Sequence, residues 1–287
     1  PSGQSEYTNV SGLARLLYNY KNKYYFNASF RRDGAKKKNK NYKDKFQSFW
    51  AVGAAWEITR EKFMENMEVF NYLKLKASTG LLGNFTAQGK NYPAYPTIST
   101  NSSAVFGENL VPVYEADYLY DPNLRWETVN SSEIGIEAEM FKSRLHFEMA
   151  YYSKKTQDLI VLLRPSGILP SLTNNGSIQN SGFEFVGSWN QKIGNDMSLT
   201  IGGNLTTFKN KVLHREYPNR PNISSSEQTP NQAQTGYPIG YFYGLVADGL
   251  YQSYADILAS PVNTINGGGA KPGDIKYKDL DGDGIIN

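Results

Sequence analysis

The hydrophobic and polar positions of the chain fall into four pairs of alternating segments. The first pair is 12–20 and 24–31, joined by Lys21-Asn22-Lys23. In its second member Tyr24, Phe26, Ala28 and Phe30 share one face, and Tyr25, Asn27, Ser29 and Arg31 share the other. The second pair is 48–57 and 72–79, with Trp50, Val52, Ala54 and Trp56 together, then Leu73, Leu75 and Ala77 together against Lys74, Lys76 and Ser78. The third is 128–139 and 144–155 around a tight turn at Phe141-Lys142-Ser143. Here Ile134, Ile136 and Ala138 oppose Glu133, Glu137 and Glu139, and Leu145, Phe147, Met149 and Tyr151 oppose His146, Glu148 and Tyr152. The fourth is 182–189 and 197–208, where Met197, Leu199, Ile201, Gly203 and Leu205 alternate with Ser198, Thr200, Gly202, Asn204 and Thr206. A period of two is the signature of strands. The 58–71 connection, with Glu61, Lys62, Phe63 and Met64, predicts a short helix.

Connections within pairs are short or modest, whereas those between pairs are long: 32–47, 80–126, 156–181 and everything after 209. They are rich in Asn, Pro, Gly, Ser and Tyr and are expected to be irregular. A compact soluble domain rarely carries several loops above about 12–15 residues. A membrane barrel does so routinely, alternating short turns with long external loops. The segments also run to about ten residues, the length a tilted membrane strand needs, against about 5–6 for a sandwich. Apolar side chains would then face lipid, and Glu133, Glu137, His146 and Glu148 a wet lumen. The alternative is a secreted β-sandwich with one solvated face, binding glycans through Tyr and Trp and carrying one calcium.

Composition narrows the choice. Hydrophobic residues make up 39 % of the chain and mean hydropathy is −0.54, with no run approaching the roughly 18–20 apolar residues of a spanning helix. Aromatics reach 14 %, dominated by 21 Tyr, which suit strands and membrane interfaces alike. The absence of cysteine excludes disulfides, thiolate metal sites and cysteine nucleophiles. A net charge of +3 argues against nucleic acid as a partner. Two histidines, His146 in a strand and His214 in a loop, have no metal spacing. Gly267-Gly268-Gly269 lacks the Lys-Ser/Thr of a phosphate loop. The Glu133, Glu137 and Glu148 carboxylates are explained by lumenal polarity rather than glycoside hydrolysis, so no enzyme is expected.

Several segments resemble the SusC/RagA family of TonB-dependent outer-membrane transporters. They are Tyr18-Asn19-Tyr20-Lys21-Asn22-Lys23-Tyr24, Ala28-Ser29-Phe30-Arg31-Arg32-Asp33-Gly34, Leu73-Lys74-Leu75-Lys76-Ala77-Ser78 with Gly83-Asn84, and Asp121-Pro122-Asn123-Leu124-Arg125-Trp126-Glu127-Thr128. They continue through Tyr151-Tyr152-Ser153-Lys154-Lys155-Thr156-Gln157-Asp158-Leu159, Gly176-Ser177-Ile178-Gln179-Asn180-Ser181-Gly182-Phe183-Glu184, Gly236-Tyr237-Pro238-Ile239-Gly240-Tyr241-Phe242-Tyr243-Gly244 and Pro272-Gly273-Asp274-Ile275-Lys276-Tyr277-Lys278-Asp279-Leu280-Asp281-Gly282-Asp283-Gly284. Their order and spacing cover nearly the whole chain. The resemblance implies an all-β, antiparallel transmembrane barrel. Residues 1–287 would supply about eight strands of a barrel of about 22, without its plug or TonB-contact segment. Both ends of the chain read as internal to a longer protein. The implied function is import of oligosaccharides or peptides across the outer membrane, with a SusD-like lipoprotein as lid and TonB as energy source. A siderophore receptor is the neighbouring option.

Two of these stretches also carry a chemical reading of their own. Asp279-Leu280-Asp281-Gly282-Asp283-Gly284-Ile285-Ile286-Asn287 follows the calcium-loop pattern. Asp279, Asp281 and Asp283 fall at positions one, three and five, Gly284 at the turn, the Ile285 carbonyl at position seven and Asn287 at nine. The other reading is a polar Asp-Gly turn. Tyr237, Tyr241, Phe242 and Tyr243 form an aromatic loop suited to a partner or rim contact before a substrate. The basic run from Arg31 to Lys40 reads as a solvated loop tip, with an anionic substrate or lipopolysaccharide phosphate as the other reading.

Overall fold

The alternating segments form strands of a single antiparallel sheet: β1 (Asn9–Tyr20), β2 (Tyr24–Ala35), β3 (Phe46–Glu57), β4 (Phe70–Asn84), β5 (Glu127–Met140), β6 (Leu145–Gln157), β7 (Ser177–Ile193) and β8 (Met197–Thr206). They pair in chain order, with β1 and β8 at the edges. This computed structural model describes residues 9–35, 46–84, 96, 98–163, 168–194, 196–215, 231–263 and 269–286. The chain divides into two compact units, 1–220 with 234–239 and 221–233 with 240–287.

A further strand, β9 (Lys209–His214), also pairs with β7. It is the continuation of β8, because Glu184↔Thr206 and Ser181↔Lys209 keep one register. At the join, the Thr207 N–H donates to the Phe183 carbonyl at 2.8 Å and Thr207 Oγ1 accepts from the Phe183 N–H at 3.1 Å. A Cβ on Gly182 would stand 1.9 Å from the Thr207 carbonyl oxygen, so glycine is required where these backbones meet. His214, expected in a loop, ends this strand.

The strands exceed the alternating stretches. β4 reaches from Phe70 to Asn84 and β7 begins at Ser177, because backbone pairing continues where the alternation lapses: both faces are apolar at Leu81-Leu82 on β4 and mostly polar over 177–181 on β7. The turns are tight. Lys21 and Asn22 take φ 55° and 54°, and Phe141, Lys142 and Ser143 take 58°, 61° and 58°. Left-handed backbone costs a side-chain-bearing residue roughly 1–2 kcal/mol. The second turn is pinned by the Ser143 N–H donating to Asn71 Oδ1 at 2.9 Å and the Ser143 hydroxyl donating to Glu139 at 2.8 Å. The helix predicted over 58–71 is two 3-10 turns, Ile58–Arg60 and Lys62–Met64, because Glu61 between them is extended at φ −82° and ψ 146° and interrupts the helical run.

Register sorts the side chains onto two faces. Trp56, Leu75, Ile136, Met149, Phe185 and Leu205 stand side by side across β3 to β8, and Ala54, Ala77, Ile134, Tyr151 and Phe183 form the next row. Most of these large side chains are exposed. The outward apolar run on β3 goes from Trp50 to Trp56 and on β6 from Leu145 to Tyr151, each about 20 Å along the strand. Tyr151 lies level with Ala54, four residues short of Trp50. That offset is the stagger tilted strands produce.

The long connections are not structureless as expected. Residues 98–116 form a hairpin of Ile98–Phe106 and Asn109–Ala116. Leu119–Tyr120, Ser171–Asn174 and Ile160–Leu163 form a small three-stranded sheet. Phe49, Tyr118, Leu124, Trp126, Ile160 and Leu172 make a buried cluster there, with the Phe49 and Trp126 rings 5.8 Å apart. A short apolar core lets each loop fold locally, which alternation statistics over a Pro- and Asn-rich stretch do not reveal.

The second unit is built of short pieces. Ala247–Leu250 pairs with Ile275–Tyr277, and Val262–Asn263 with Ile285–Ile286. A helical turn, Tyr254–Leu258, is capped by Ser253, whose hydroxyl accepts from the Asp256 N–H at 3.2 Å. Among the described residues of this unit, Tyr251 and Ile286 are buried.

Candidate functional site

The inward face of the wall carries the charge. Lys74, Lys76, Glu133, Glu137, His146 and Glu148 all lie on it, alternating with the apolar rows. Lys76 forms an ion pair with Glu148 two strands away. It crosses β5 at Gly135, where a Cβ would stand 3.0 Å from the Lys76 side chain. Lys74 Nζ lies 4.6 Å from the Tyr25 ring centroid. The Tyr25 hydroxyl donates to Glu57 Oε2 at 2.8 Å, and Arg60 Nε donates to Glu57 Oε1 at 2.6 Å. Such a face can solvate and bind polar cargo. Glu148, one of the carboxylates weighed for glycoside hydrolysis, is taken by Lys76, and no nucleophile–base pair stands near it among the described residues.

At the short-turn end Glu61 accepts three bonds: from the Tyr24 hydroxyl at 2.6 Å, Lys23 Nζ at 3.1 Å and Trp56 Nε1 at 3.2 Å. These donors hold its carboxyl below the usual carboxylate range, the Tyr24 hydroxyl first among them. Sequence reasoning placed Glu61 in a helix and missed this. No local signal could have found it, because Lys23 and Tyr24 lie 38 and 37 residues away in the chain.

At the other end, the Asp121-to-Glu127 motif ties two loops together. Asp121 Oδ1 accepts from the Asn123 N–H at 2.8 Å and Oδ2 from the Thr173 hydroxyl at 2.7 Å. Asn174 accepts from the Arg125 N–H at 2.6 Å and donates to the carbonyls of Arg125 and Asp158 at 2.9 and 2.6 Å. Glu127 Oε1 accepts from the Ile160 N–H at 2.8 Å.

In the second unit, carboxylate oxygens of Asp279, Asp281 and Asp283 lie within 4.8 Å of one another. The N–H groups of Gly284 and Gly282 donate to Asp279 at 2.8 and 2.7 Å, which lowers its pKa. Gly282 and Gly284 take φ 78° and 83°. Ile285 pairs with Val262, its N–H donating to Asp283 Oδ1 at 2.8 Å. Asn287 lies outside the described residues. Of the aromatic loop, Tyr237 in the first unit is exposed, with its carbonyl accepting from the Val212 N–H at 2.9 Å. In the second unit Phe242 is 80 % exposed, Tyr243 is exposed, and the half-buried Tyr241 donates its hydroxyl to Gln232 at 3.3 Å. Within the basic run, Arg31 pairs with Asp33 at 2.6 Å. Lys36 to Lys40 lie outside the described residues.

An antiparallel wall that is apolar outside and charged inside, with tight turns at one end and folded loops at the other, is the wall of an outer-membrane β-barrel. No helix among the described residues is long and apolar enough to cross a membrane. Residues 1–281 match the profile of the family described as "TonB dependent receptor-like, beta-barrel", and the chain belongs to that family. It is 31 % identical over 289 residues to TonB-dependent receptor P3 of Formosa agariphila, covering 97 % of this chain and 28 % of that protein. It is 25 % identical to TonB-dependent receptor SusC of Bacteroides thetaiotaomicron, covering 94 % and 28 %. In fold it resembles the RagAB peptide transporter, with a TM-score of 0.72 at 22 % identity over 86 % of this chain and 27 % of that one. The chain thus spans under a third of the length of these relatives. The family is one of outer-membrane transport proteins and not of enzymes. The secreted β-sandwich alternative is overturned: no second sheet covers the apolar face among the described residues, and the family is a membrane one.

Proposed function

We propose that the protein to which this chain belongs imports nutrient oligomers, oligosaccharides or peptides, across the outer membrane. A SusD-like surface lipoprotein closes over it, and TonB supplies the energy. The observation that carries the reading is the two-faced wall, with Lys74, Lys76, Glu137 and Glu148 set on its inner face. Two relatives support the branch: one is named SusC, and one in fold alone is a peptide transporter. The cargo is bound and released without covalent change. Exposed Phe242 and Tyr243 serve as contacts for the lipoprotein, since exposed rings anchor interfaces well; Tyr237 and Tyr241 belong to the same set. The test is to purify the full-length protein from its native membrane. A lipoprotein should co-purify, and native mass spectrometry should find a bound oligosaccharide or peptide. Recovery of an iron chelate with no lipoprotein would overturn the reading.

A calcium ion belongs to the same proposal. Three convergent carboxylates and the Ile285 carbonyl offer the oxygen set that hard cation takes, and Asn287 supplies the next position. The ion would stiffen an external loop and take no part in chemistry. Calorimetric titration of the full-length protein with calcium should give binding heat that Asp281→Ala abolishes. Identical traces remove the metal.

A further inference from the structure

The outward face does not end with the apolar band. Ser132, Ser153 and Ser181 follow Ile134, Tyr151 and Phe183 as the next row toward the long loops, with Lys209 beside Ser181. The row beyond carries Asn130, Lys155, Gln179 and Lys211, side by side. On β2, Arg32 stands two residues past Phe30, its guanidinium 5.7 Å from the Phe46 ring centroid.

At this level the outward face carries charge of one sign, whereas the inward face carries both, with Arg31 and Lys154 beside the acids. The outward positions beyond the band on β2 to β9 hold Arg32, Lys155, Lys209 and Lys211 and no Asp or Glu. The acids of the same strand ends, Asp33, Glu127 and Glu133, all face inward. Lys155, Lys209 and Lys211 are exposed and enter no ion pair among the described residues. Gln179, between Lys155 and Lys211, donates to Ser153 Oγ at 3.1 Å. The chain's small net charge of +3 therefore conceals a one-signed outer rim.

We infer that Lys155, Lys209 and Lys211, with the Ser153, Ser181 and Gln179 side chains between them, form a site for the phosphate groups of lipid headgroups in the outer leaflet. The site is continuous with the lipid-covered band: Lys209 stands level with Ser181, two residues past Phe183 and about 7 Å along the strand, and Lys155 and Lys211 stand four residues past Tyr151 and Phe183, about 13 Å. A lysine stem bends back from there to the headgroup layer. Each cation near an anionic lipid surface adds attraction, and hydroxyl and amide groups complete the phosphate's hydrogen bonds. The lysines continue the outward apolar rows of the same strands, so the layer they meet is the one that bounds the lipid tails, the phosphorylated headgroups.

The full-length protein in detergent would be followed by thermal unfolding while titrated with bisphosphorylated lipid A, with phosphatidylcholine or with inorganic phosphate. Lipid A should raise the midpoint by several degrees over phosphatidylcholine, and inorganic phosphate should not. The combined variant Lys155→Gln, Lys209→Gln, Lys211→Gln should lose that increment. Lys154→Gln, whose ammonium lies inward 5.2 Å from the Tyr152 ring centroid, should keep it. An undiminished increment in the triple variant, or none in the unmodified protein, would overturn the site. An equal rise with inorganic phosphate would overturn the headgroup as its ligand. Should the triple variant not fold, the unmodified protein in about 0.5 M salt takes its place, where screening is strong. Loss of the lipid A increment there is expected, and its persistence rejects the site.

Discussion

Glu61 holds three donors from three parts of the chain. Lys23 belongs to the first turn, and Tyr24 and Trp56 to the ends of β2 and β3. Its folded pKa is depressed, so the stability it contributes is fully present above the ordinary Glu value of about 4.3. That stability is lost as pH falls through the lower folded value. Hydrogen exchange at the Met64 amide, which donates to the Glu61 carbonyl at 2.9 Å, should therefore lose protection on acidification. In Glu61→Gln that pH dependence should be flat. Nothing in the linear sequence marks Glu61, because its partners come together only through the pairing of β2 with β3. The acid loop is the opposite case: Asp279, Asp281 and Asp283 were legible as a cluster because their spacing is local, and the structure does bring their carboxylates together.

At the level of the element, alternation was a faithful guide wherever one strand face is apolar. It named all eight long strands and missed their ends, where the alternation lapses, as at Leu81-Leu82 on β4. The loops were illegible for a reason of separation. Asp121 meets Thr173, and Asn174 meets Arg125, so the motif around Asp121 looks like a turn until its distant partner is known. Asn174→Ala removes one acceptor and two donors from these loop backbones, at about 1–3 kcal/mol for the groups left unpaired. Limited proteolysis of the assembled protein should then cut the loop segments around Arg125 and Asp158 faster while the wall stays intact. An unchanged rate would show that the Phe49–Trp126 cluster alone holds the loops.

For the whole molecule, the two faces set different rules. Met149 lies mid-band on the outward face, and Val186 lies inward on β7 opposite Glu148. Met149→Arg should cost about 2–4 kcal/mol of folding stability in lipid, the range for a cation near the bilayer midplane. Val186→Arg, facing the lumen, should cost far less. Denaturant titration of the full-length protein in vesicles compares them directly, and equal costs would contradict the assignment of faces. The unbroken register from β5 through β7 also bears on how such a gene can change length. A single codon gained or lost within β6 would exchange its two faces at every later position. A gain of two codons would restore the faces but slide the outer rim by about 7 Å. Length changes should therefore be tolerated best in the long connections, where no register has to be kept.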